Sequence, residues 1–317
     1  FLGGKFCDAV LSTNQQIMWY TMAISCVSPN GTFTFDKTKF YYGDKLITFD
    51  TVEPAKVISL TDGAGNVDTK IAGQLYIYLY RSTDAGVITN LDTGGASSGS
   101  GLPNTIISTA NGAPSGQEWS ATNRQMNGLA FAIVKLTYSR DAGTTSFSPI
   151  TFHCSQTLNG TGVAKPGDVW VDYMTNEIYG GAVPSDFVDS TSATALNTYS
   201  DQLITFNDYS GSPSTQARYR INGVLDTGQT ALSNVDKIMI ACDCWMQYNA
   251  PTGKWAIVIN KAESTSFAFN DTNIIGSINV GSIDITQTIN QIEAKFNDKT
   301  NRDLSLIHIS EPTRRYA

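Results

Sequence analysis

The spacing of apolar residues changes near Lys165, and this change constrains the fold more than any other feature of the sequence. Before it, segments such as KIAGQLYIYLYRS and TFTFDKTKFYYGDKLITFD alternate between two sets of side chains, which is the period of a β-strand. After it, apolar residues recur every three or four positions, which is the period of an α-helix. The sequence therefore predicts an α+β fold that is mainly β, with a helix-containing region in its second part.

Three helices are predicted in the second part, at about residues 166–178, 185–204 and 230–246. Pro166 suits a first helical turn, and the glycine pair at residues 180–181 is predicted to end the first helix. The core face of the third helix is predicted to consist of Leu232, Val235, Ile238, Met239, Cys242 and Trp245.

Two hairpins are predicted between and after these helices. In ARYRINGVLDT, the pair Asn222-Gly223 predicts a type I′ turn, because both residues accept a positive φ. In CWMQYNAPTGKWAIVIN, two short strands are predicted around Pro251-Thr252-Gly253.

Five segments follow from these patterns. They are a β-rich segment (1–81), a loop or insertion rich in Gly, Ser and Asn (82–119), strands that complete the first β region (120–164), an α+β region (165–303) and a foreign tail (304–317). The tail, LSLIHISEPTRRYA, breaks the preceding strand pattern and looks like a sequencing adapter translated in frame. We therefore expect a gene cut at a contig end, and, since the chain starts at Phe1, a sequence truncated at both ends.

Charge and hydropathy narrow the functional class. Only 15% of the 317 residues are charged, the net charge is −7 and the sequence pI is about 4.8. A protein that grips nucleic acid with its surface is expected to be basic, so this class is disfavoured. An acidic surface suits a channel through which DNA slides without being held. No apolar run reaches the roughly 18 residues that predict a membrane-spanning helix.

The sequence offers little support for catalysis or for metal binding. The five cysteines are odd in number and contain no CxxC, so they are interpreted as small thiols made in a reducing compartment. Cys242 and Cys244 are placed in a helix, where they are expected to point apart. If the tail is foreign, His153 is the one native histidine, and in a strand it faces away from Cys154. We therefore predict that the chain is not an enzyme and that it has no catalytic residue, no metal and no cofactor.

The segment KPGDVWVDYMTNEIYGGAVPSDFVD (residues 165–189) tests this prediction, because it is rich in carboxylates and aromatics. Its aromatics are predicted to form a buried stripe, and Asp172 and Glu177 a solvated face, so it is interpreted as a packing element. A second aromatic set, Tyr76, Tyr78 and Tyr80, is predicted to cover one face of a sheet rather than to bind sugars.

The order of motifs carries a family resemblance. VWVDYMTNEIYGG is followed by PSDFVD, RYRINGVLDT, ACDCWMQYN with GKWAIVI, and then INQIEAKFNDK. This succession resembles the central tail-tip proteins of tailed bacteriophages, the host-specificity or baseplate-hub family typified by the lambda tail tip. The residues that carry the resemblance are Asp172, Tyr173, Met174, Thr175, Asn176, Tyr179, Gly180, Asn222, Gly223, Asp226 and Trp245.

The resemblance implies a structural virion protein made in the bacterial cytoplasm and located at the tail tip. It implies tail-tube-like β-barrel hub modules and a homotrimer that closes or extends the tail tube. Its expected partners are distal tail or tube proteins, the tape measure and other tip proteins. A host receptor is expected to bind a C-terminal part beyond this chain, and DNA to pass through the channel without specific binding.

Two alternatives remain open at the level of sequence. A carbohydrate-binding β-protein or glycoside hydrolase is suggested by the tyrosines and by the 28 Asp and Glu, although no pair of carboxylates stands out. A secreted adhesin would be supported by disulfides among Cys7, Cys26 and Cys154 and opposed by free thiols.

Overall fold

The structure is a computed structural model that describes residues 2–27, 31–92, 101–120, 122, 124–158, 165–207, 211–264, 268–270, 272–276, 281, 292–298 and 304–310, with backbone alone for the last two ranges. Residues 2–260 belong to one compact unit, and the chain from residue 261 belongs to another. The predicted boundaries at residues 81, 119 and 164 therefore fall within a single unit.

The elements of the structure are as follows. The strands are β1 (Leu2–Gly3), β2 (Lys5–Leu11), β3 (Ile17–Cys26), β4 (Phe33–Phe35), β5 (Tyr41–Tyr42), β6 (Lys45–Phe49), β7 (Val57–Thr61), β8 (Val67–Asp68), β9 (Leu75–Ser82), β10 (Ile88–Asn90), β11 (Leu129–Thr137), β12 (Ile150–Phe152), β13 (Cys154–Gln156), β14 (Leu203–Asn207), β15 (Pro213–Ala217), β16 (Cys244–Asn249), β17 (Lys254–Ile259), β18 (Ile292–Asp298) and β19 (Leu304–Ser310). The helices are α1 (Pro103–Ile106), α2 (Pro166–Thr175), α3 (Ser190–Asp201) and α4 (Ala231–Ile240), and short 3-10 turns span Lys37–Lys39, Thr109–Asn111 and Ser185–Phe187. The fold is α+β and mainly β, as predicted.

Two antiparallel sheets organise the first region. One has the strand order β10-β9-β11-β3-β2, and the other has the order β1-β12-β5-β6-β7-β8. Among the described residues, neither order closes on itself into a barrel. The central strand β11 reads LAFAIVKLT, and its residues from Ala130 to Val134 are fully buried. A strand buried on both faces needs a continuous apolar run rather than alternation, and this sequence supplies one.

The main core gathers residues of both sheets. On β9, Leu75, Ile77 and Leu79 enter this core, as the alternation predicted. Each such side chain contributes about 1.5–3 kcal/mol on burial. The other buried members are Met22, Phe40, Tyr42, Ile47, Val57, Leu60, Ile71, Ala132, Val134, Leu136, Ile150 and Phe152.

The opposite face of the five-stranded sheet is covered by residues of the predicted insertion. Trp119 stacks on Phe131 with ring centroids 5.7 Å apart, and Tyr80 stacks on the same ring at 5.0 Å. Ile106 and Ile107 are also buried in this cluster. The polar composition of the segment 82–119 predicted a loop or insertion, yet its described part buries several large apolar side chains against the sheet. Residues 93–100, the Gly- and Ser-rich stretch, lie outside the described residues.

The helices of the second region are shorter than predicted. Helix α2 ends at Thr175 instead of 178, and the predicted helix 185–204 divides into a 3-10 turn and α3. The division occurs because the Asp189 side chain accepts a hydrogen bond from the Thr191 amide and so caps a new helix. Helix α4 ends at Ile240 rather than at 246, and β16 begins at Cys244.

The hairpin predicted at Asn222-Gly223 is wrong, because neither residue adopts a positive φ. The observed hairpin pairs β14 with β15 and lies upstream. Tyr219, Ile221 and Leu225 instead pack against the core of the second region. The hairpin around Pro251-Thr252-Gly253 is confirmed, with β16 and β17 paired from Cys244↔Ile259 to Asn249↔Lys254.

In the unit that begins at residue 261, β18 pairs antiparallel with β19. Strand β19 lies within the tail predicted to be foreign. A strand pairing does not report on the origin of the encoded sequence, so that expectation stays a prediction.

Candidate functional site

The residues of the first motif, VWVDYMTNEIYGG, meet at the C-terminal end of α2. The Asn176 side chain accepts hydrogen bonds from the amides of Ile178 (2.9 Å) and Tyr179 (3.0 Å). The returning chain donates from the Gly181 amide to the Tyr173 carbonyl at 2.8 Å. The carbonyls at a helix end lack hydrogen-bond donors within the helix, and the amides of this loop serve as those donors. The motif therefore builds a helix cap, which we call the α2 cap (residues 172–183).

Asp172 is part of this cap and is not on a solvated face. Its Oδ2 atom accepts a hydrogen bond of 2.8 Å from the Tyr179 hydroxyl. Burial raises the pKa of Asp172, and the Tyr179 hydrogen bond opposes that rise. The prediction of a solvated face was wrong for Asp172, since the loop folds back over it, whereas Glu177 is exposed. Thr175 donates its hydroxyl to the Val171 carbonyl at 2.8 Å, within the helix.

Gly180 is required by close packing rather than by its backbone angles. A Cβ atom at this position would lie 2.0 Å from the Tyr173 carbonyl oxygen and 2.9 Å from the Asn176 carbonyl oxygen. Both neighbours are backbone atoms of the helix end and cannot move aside without breaking the cap. Ala182, two residues later, takes a φ of +51° to complete the turn. The glycine of the motif thus lets the chain touch the helix end.

The second motif reaches the first through Asn234 of α4. This side chain is fully buried, and its Nδ2 atom donates to the Tyr173 hydroxyl at 3.0 Å and to the Asp226 carbonyl at 2.9 Å. A buried amide with two partners fixes the relative positions of the elements that it joins. Asn234 was missed by the sequence reasoning, because a lone Asn in an apolar helix stripe carries no local signal.

The remaining motif residues lie elsewhere. Asn222 and Gly223 lie in the loop before Asp226. The Asn222 side chain makes no hydrogen bond within the described residues. Trp245 was predicted in the core face of the third helix, but it lies on β16 with 51% of its surface exposed. Because α4 ends five residues before Trp245, the direction of the Trp245 side chain is set by the strand and not by the helical period.

The outer edge of β16 is open. The other strand of the hairpin, β17, is covered: its Trp255 carbonyl accepts from the Asp189 amide at 2.8 Å, and its Ile257 amide donates to Ser192 Oγ at 3.0 Å. Trp255 and Ile257 therefore point their backbone groups away from β16. Their register partners on β16, Tyr248 and Met246, must point theirs outward as well.

The outward backbone groups of Met246 and Tyr248, together with the exposed side chains of Trp245 and Tyr248, are called the β16 edge (Trp245, Met246 and Tyr248). Within the described residues, no backbone group pairs with the amides and carbonyls of Met246 and Tyr248 on that side. Tyr248 is 49% exposed and contacts Trp255 edge to face at 5.2 Å. An unpaired strand edge with aromatic side chains is suited to pairing with a strand of another chain.

Three sulfur atoms converge where α4 meets β16. Cys242 Sγ lies 3.3 Å from Cys244 Sγ, and Cys244 Sγ lies 3.5 Å from Met239 Sδ. The prediction that the two cysteines point apart is wrong, because the helix ends before them and Asp243 takes a φ of +50°. The hydrogen bond between the thiols lowers the pKa of Cys242 and raises the pKa of Cys244. The strand pattern of WMQYN, which starts directly after Cys244, was the signal that the helix ends earlier.

The other residues considered as chemical candidates are held in structural contacts. His153 Nδ1 lies 3.5 Å from Asp36 Oδ2, next to the β4–β13 pair. Tyr80 is buried, and Tyr76 and Tyr78 are half-buried and stack on one another at 6.1 Å. Within the described part of the chain, no three His, Cys, Asp or Glu side chains are grouped so that they could hold a metal ion. The helices of the described residues are too short or too polar to span a bilayer.

Comparison with known proteins adds no family assignment. No protein-family model matches the chain, and no curated protein matches it either. The resemblance to phage tail tips therefore depends on the order of motifs in the sequence and stays a prediction.

Proposed function

We propose that this chain is a structural component of a bacteriophage tail tip, the hub portion of a homotrimer, and that it has no catalytic role. The observation that carries the proposal is the α2 cap. The motif residues Asp172, Tyr179 and Gly180 hold one helix end together, and Asn234 links that end to Asp226 of the second motif. A motif whose polar groups satisfy one another is suited to holding a shape rather than to turning over a substrate.

Assembly is supported by the β16 edge. In a trimeric hub, outward amides and carbonyls of Met246 and Tyr248 would pair with a strand of the next subunit or of a neighbouring tail protein. The two packed sheets of the first region would supply the tail-tube-like module. A net charge of −7 suits a wall past which DNA slides. We place the protein at the tail tip of the virion, the location that the resemblance implies.

The test is the solution mass of the chain by multi-angle light scattering over a concentration series, followed by electron microscopy of the largest species. A concentration-dependent trimer with a central channel is expected. A strict monomer at the highest concentration, or a closed dimer, would contradict the proposed hub.

A matched pair of variants tests the edge itself. Tyr248→Pro removes one outward amide without removing an amide that pairs with β17, whereas Tyr248→Thr keeps the amide and removes the ring. The trimer is expected to be lost in Tyr248→Pro and retained, with lower affinity, in Tyr248→Thr. Equal trimer populations in both variants would show that another surface makes the contact.

A further inference from the structure

We propose that Cys242, Cys244 and Met239 form a binding site for one soft monovalent metal ion, of which Cu(I) is the natural example. Two thiols and a thioether meet at the junction of α4 and β16, with neighbouring sulfur atoms 3.3 and 3.5 Å apart. Thiolate and thioether sulfur are the ligands that select Cu(I) among the first-row metals. This inference is independent of the proposed tail-tip function.

The number of ligands favours a soft monovalent ion over zinc. Structural zinc sites use four ligands, and no third His, Cys, Asp or Glu joins the two thiols among the described residues. Asp243, which lies between the two cysteines in the chain, accepts a hydrogen bond at its carboxylate from Asn260 Nδ2 at 3.1 Å, and the backbone amide of Asn260 donates to the Asp243 carbonyl. Asp243 is therefore held toward Asn260, and sulfur is left as the coordinating element.

The spacing is close to what such an ion needs. A metal–sulfur bond of about 2.3 Å places two sulfurs of a trigonal site about 4.0 Å apart. The thiols at 3.3 Å must therefore separate by less than an ångström, which side-chain rotation can supply. Cys242 is fully buried and Cys244 is 7% exposed, so the bound ion would lie in the apolar shell of the second region's core.

Binding is a simple exchange of protons for the ion. One Cu(I) displaces the two thiol protons to solvent, and two copper–thiolate bonds form with no change of oxidation state. Cys242 donates its thiol to the Ile238 carbonyl at 3.1 Å in the protein without metal. That weak hydrogen bond is lost on binding, and the ion then joins the end of α4 to the start of β16.

The experiment uses the full chain, reduced and kept free of oxygen, with Cu(I) supplied as its acetonitrile complex against a chromophoric Cu(I) chelator. To isolate the site, Cys7, Cys26 and Cys154 are all replaced by Ser in the parent protein. We expect one equivalent of Cu(I) per chain, an ultraviolet thiolate-to-copper absorption and a raised Tm. Cys242→Ser and Cys244→Ser are each expected to abolish retention, and Met239→Leu to weaken it by about tenfold.

Circular dichroism of each variant separates loss of the site from loss of the fold, and Cys242→Ala serves as a second removal if the Ser variant unfolds. Retention of Cu(I) by a folded Cys242→Ser or Cys242→Ala protein would overturn the proposal. A thiol titration confirms that both thiols of the folded parent protein are reduced. If that protein then fails to compete with the chelator for Cu(I), the proposal is also overturned. Zn(II) is the second probe, and retention of Zn(II) as tight as that of Cu(I) would refute a soft monovalent site.

Discussion

Replacing Gly180 by alanine is expected to destabilise the second region through a single steric conflict. The added methyl would lie 2.0 Å from the Tyr173 carbonyl oxygen, a distance that Cβ atoms essentially never show. The loop must therefore withdraw from the helix end. Withdrawal strains or breaks the hydrogen bonds from the Gly181 amide, the Val183 amide and the Tyr179 hydroxyl. At about 0.5–1.5 kcal/mol each, loss of all three amounts to about 1.5–4.5 kcal/mol.

The assay is urea unfolding of Gly180→Ala, together with hydrogen exchange at the amides of residues 178–183. Gly223→Ala is the matched control, because it lies in the second motif, has no atom within 4 Å of its added Cβ and has no positive φ. The control is expected to stay within about 0.5 kcal/mol of the parent protein. If Gly180→Ala also stays within that margin and its exchange is unchanged, the close approach at Gly180 does not hold the cap, and the reasoning fails.

Three further substitutions test other contacts. Asn234→Leu removes the hydrogen bonds to the buried Tyr173 hydroxyl and to the Asp226 carbonyl and is expected to lower the free energy of unfolding by about 1–3 kcal/mol in urea titrations; no loss would mean that the amide is not the link between the motifs. Burial raises the folded-state pKa of Asp172 above 3.8, so its contribution to stability is present below that value and is lost as the pH rises through the raised pKa. Asp172→Asn is expected to lack this loss in unfolding curves measured from about pH 3 to 7, and parallel pH profiles would contradict it. Trp119→Ala is expected to cost about 3–5 kcal/mol, with Val87→Ala, an exposed residue, as control; a smaller cost would mean that the insertion does not cover the sheet.

Alternating patterns predicted the burial correctly where the two faces of a strand pack against different groups of residues. On β9 the leucines and isoleucine enter the main core, and Tyr80 enters the second cluster, as the alternation requires. The β16–β17 hairpin was also predictable, since Pro251-Thr252-Gly253 interrupts two apolar runs. In these segments the local preference and the tertiary packing agree.

The helix ends were predicted poorly because they depend on single side chains. Asn176 stops α2 three residues before the predicted end, and Asp189 restarts the chain as α3. The Asn222-Gly223 turn failed because Tyr219, Ile221 and Leu225 gain more by packing on the second core than by entering a hairpin. Tertiary contacts of this kind are not encoded within a short window of sequence.

The candidate site was predicted in part. The motif residues were identified, and their role in packing was inferred, but the partners that give them this role were not. Asn234 lies more than fifty residues from Tyr173 along the chain, and the sulfur cluster forms only because α4 ends before Cys242. Both facts follow from three-dimensional proximity and not from spacing.

The register of the five-stranded sheet has a consequence for how the protein is made. Strand β3 pairs with β11, whose residues lie more than a hundred positions later in the chain. At about 5–20 residues per second, the ribosome needs roughly 5–20 s to deliver β11 after β3 has emerged. During that interval the apolar segment IMWYTMAISC has no partner on that edge. Slow translation or overproduction is therefore expected to direct nascent chains toward inclusion bodies, and coexpressed chaperones to recover them.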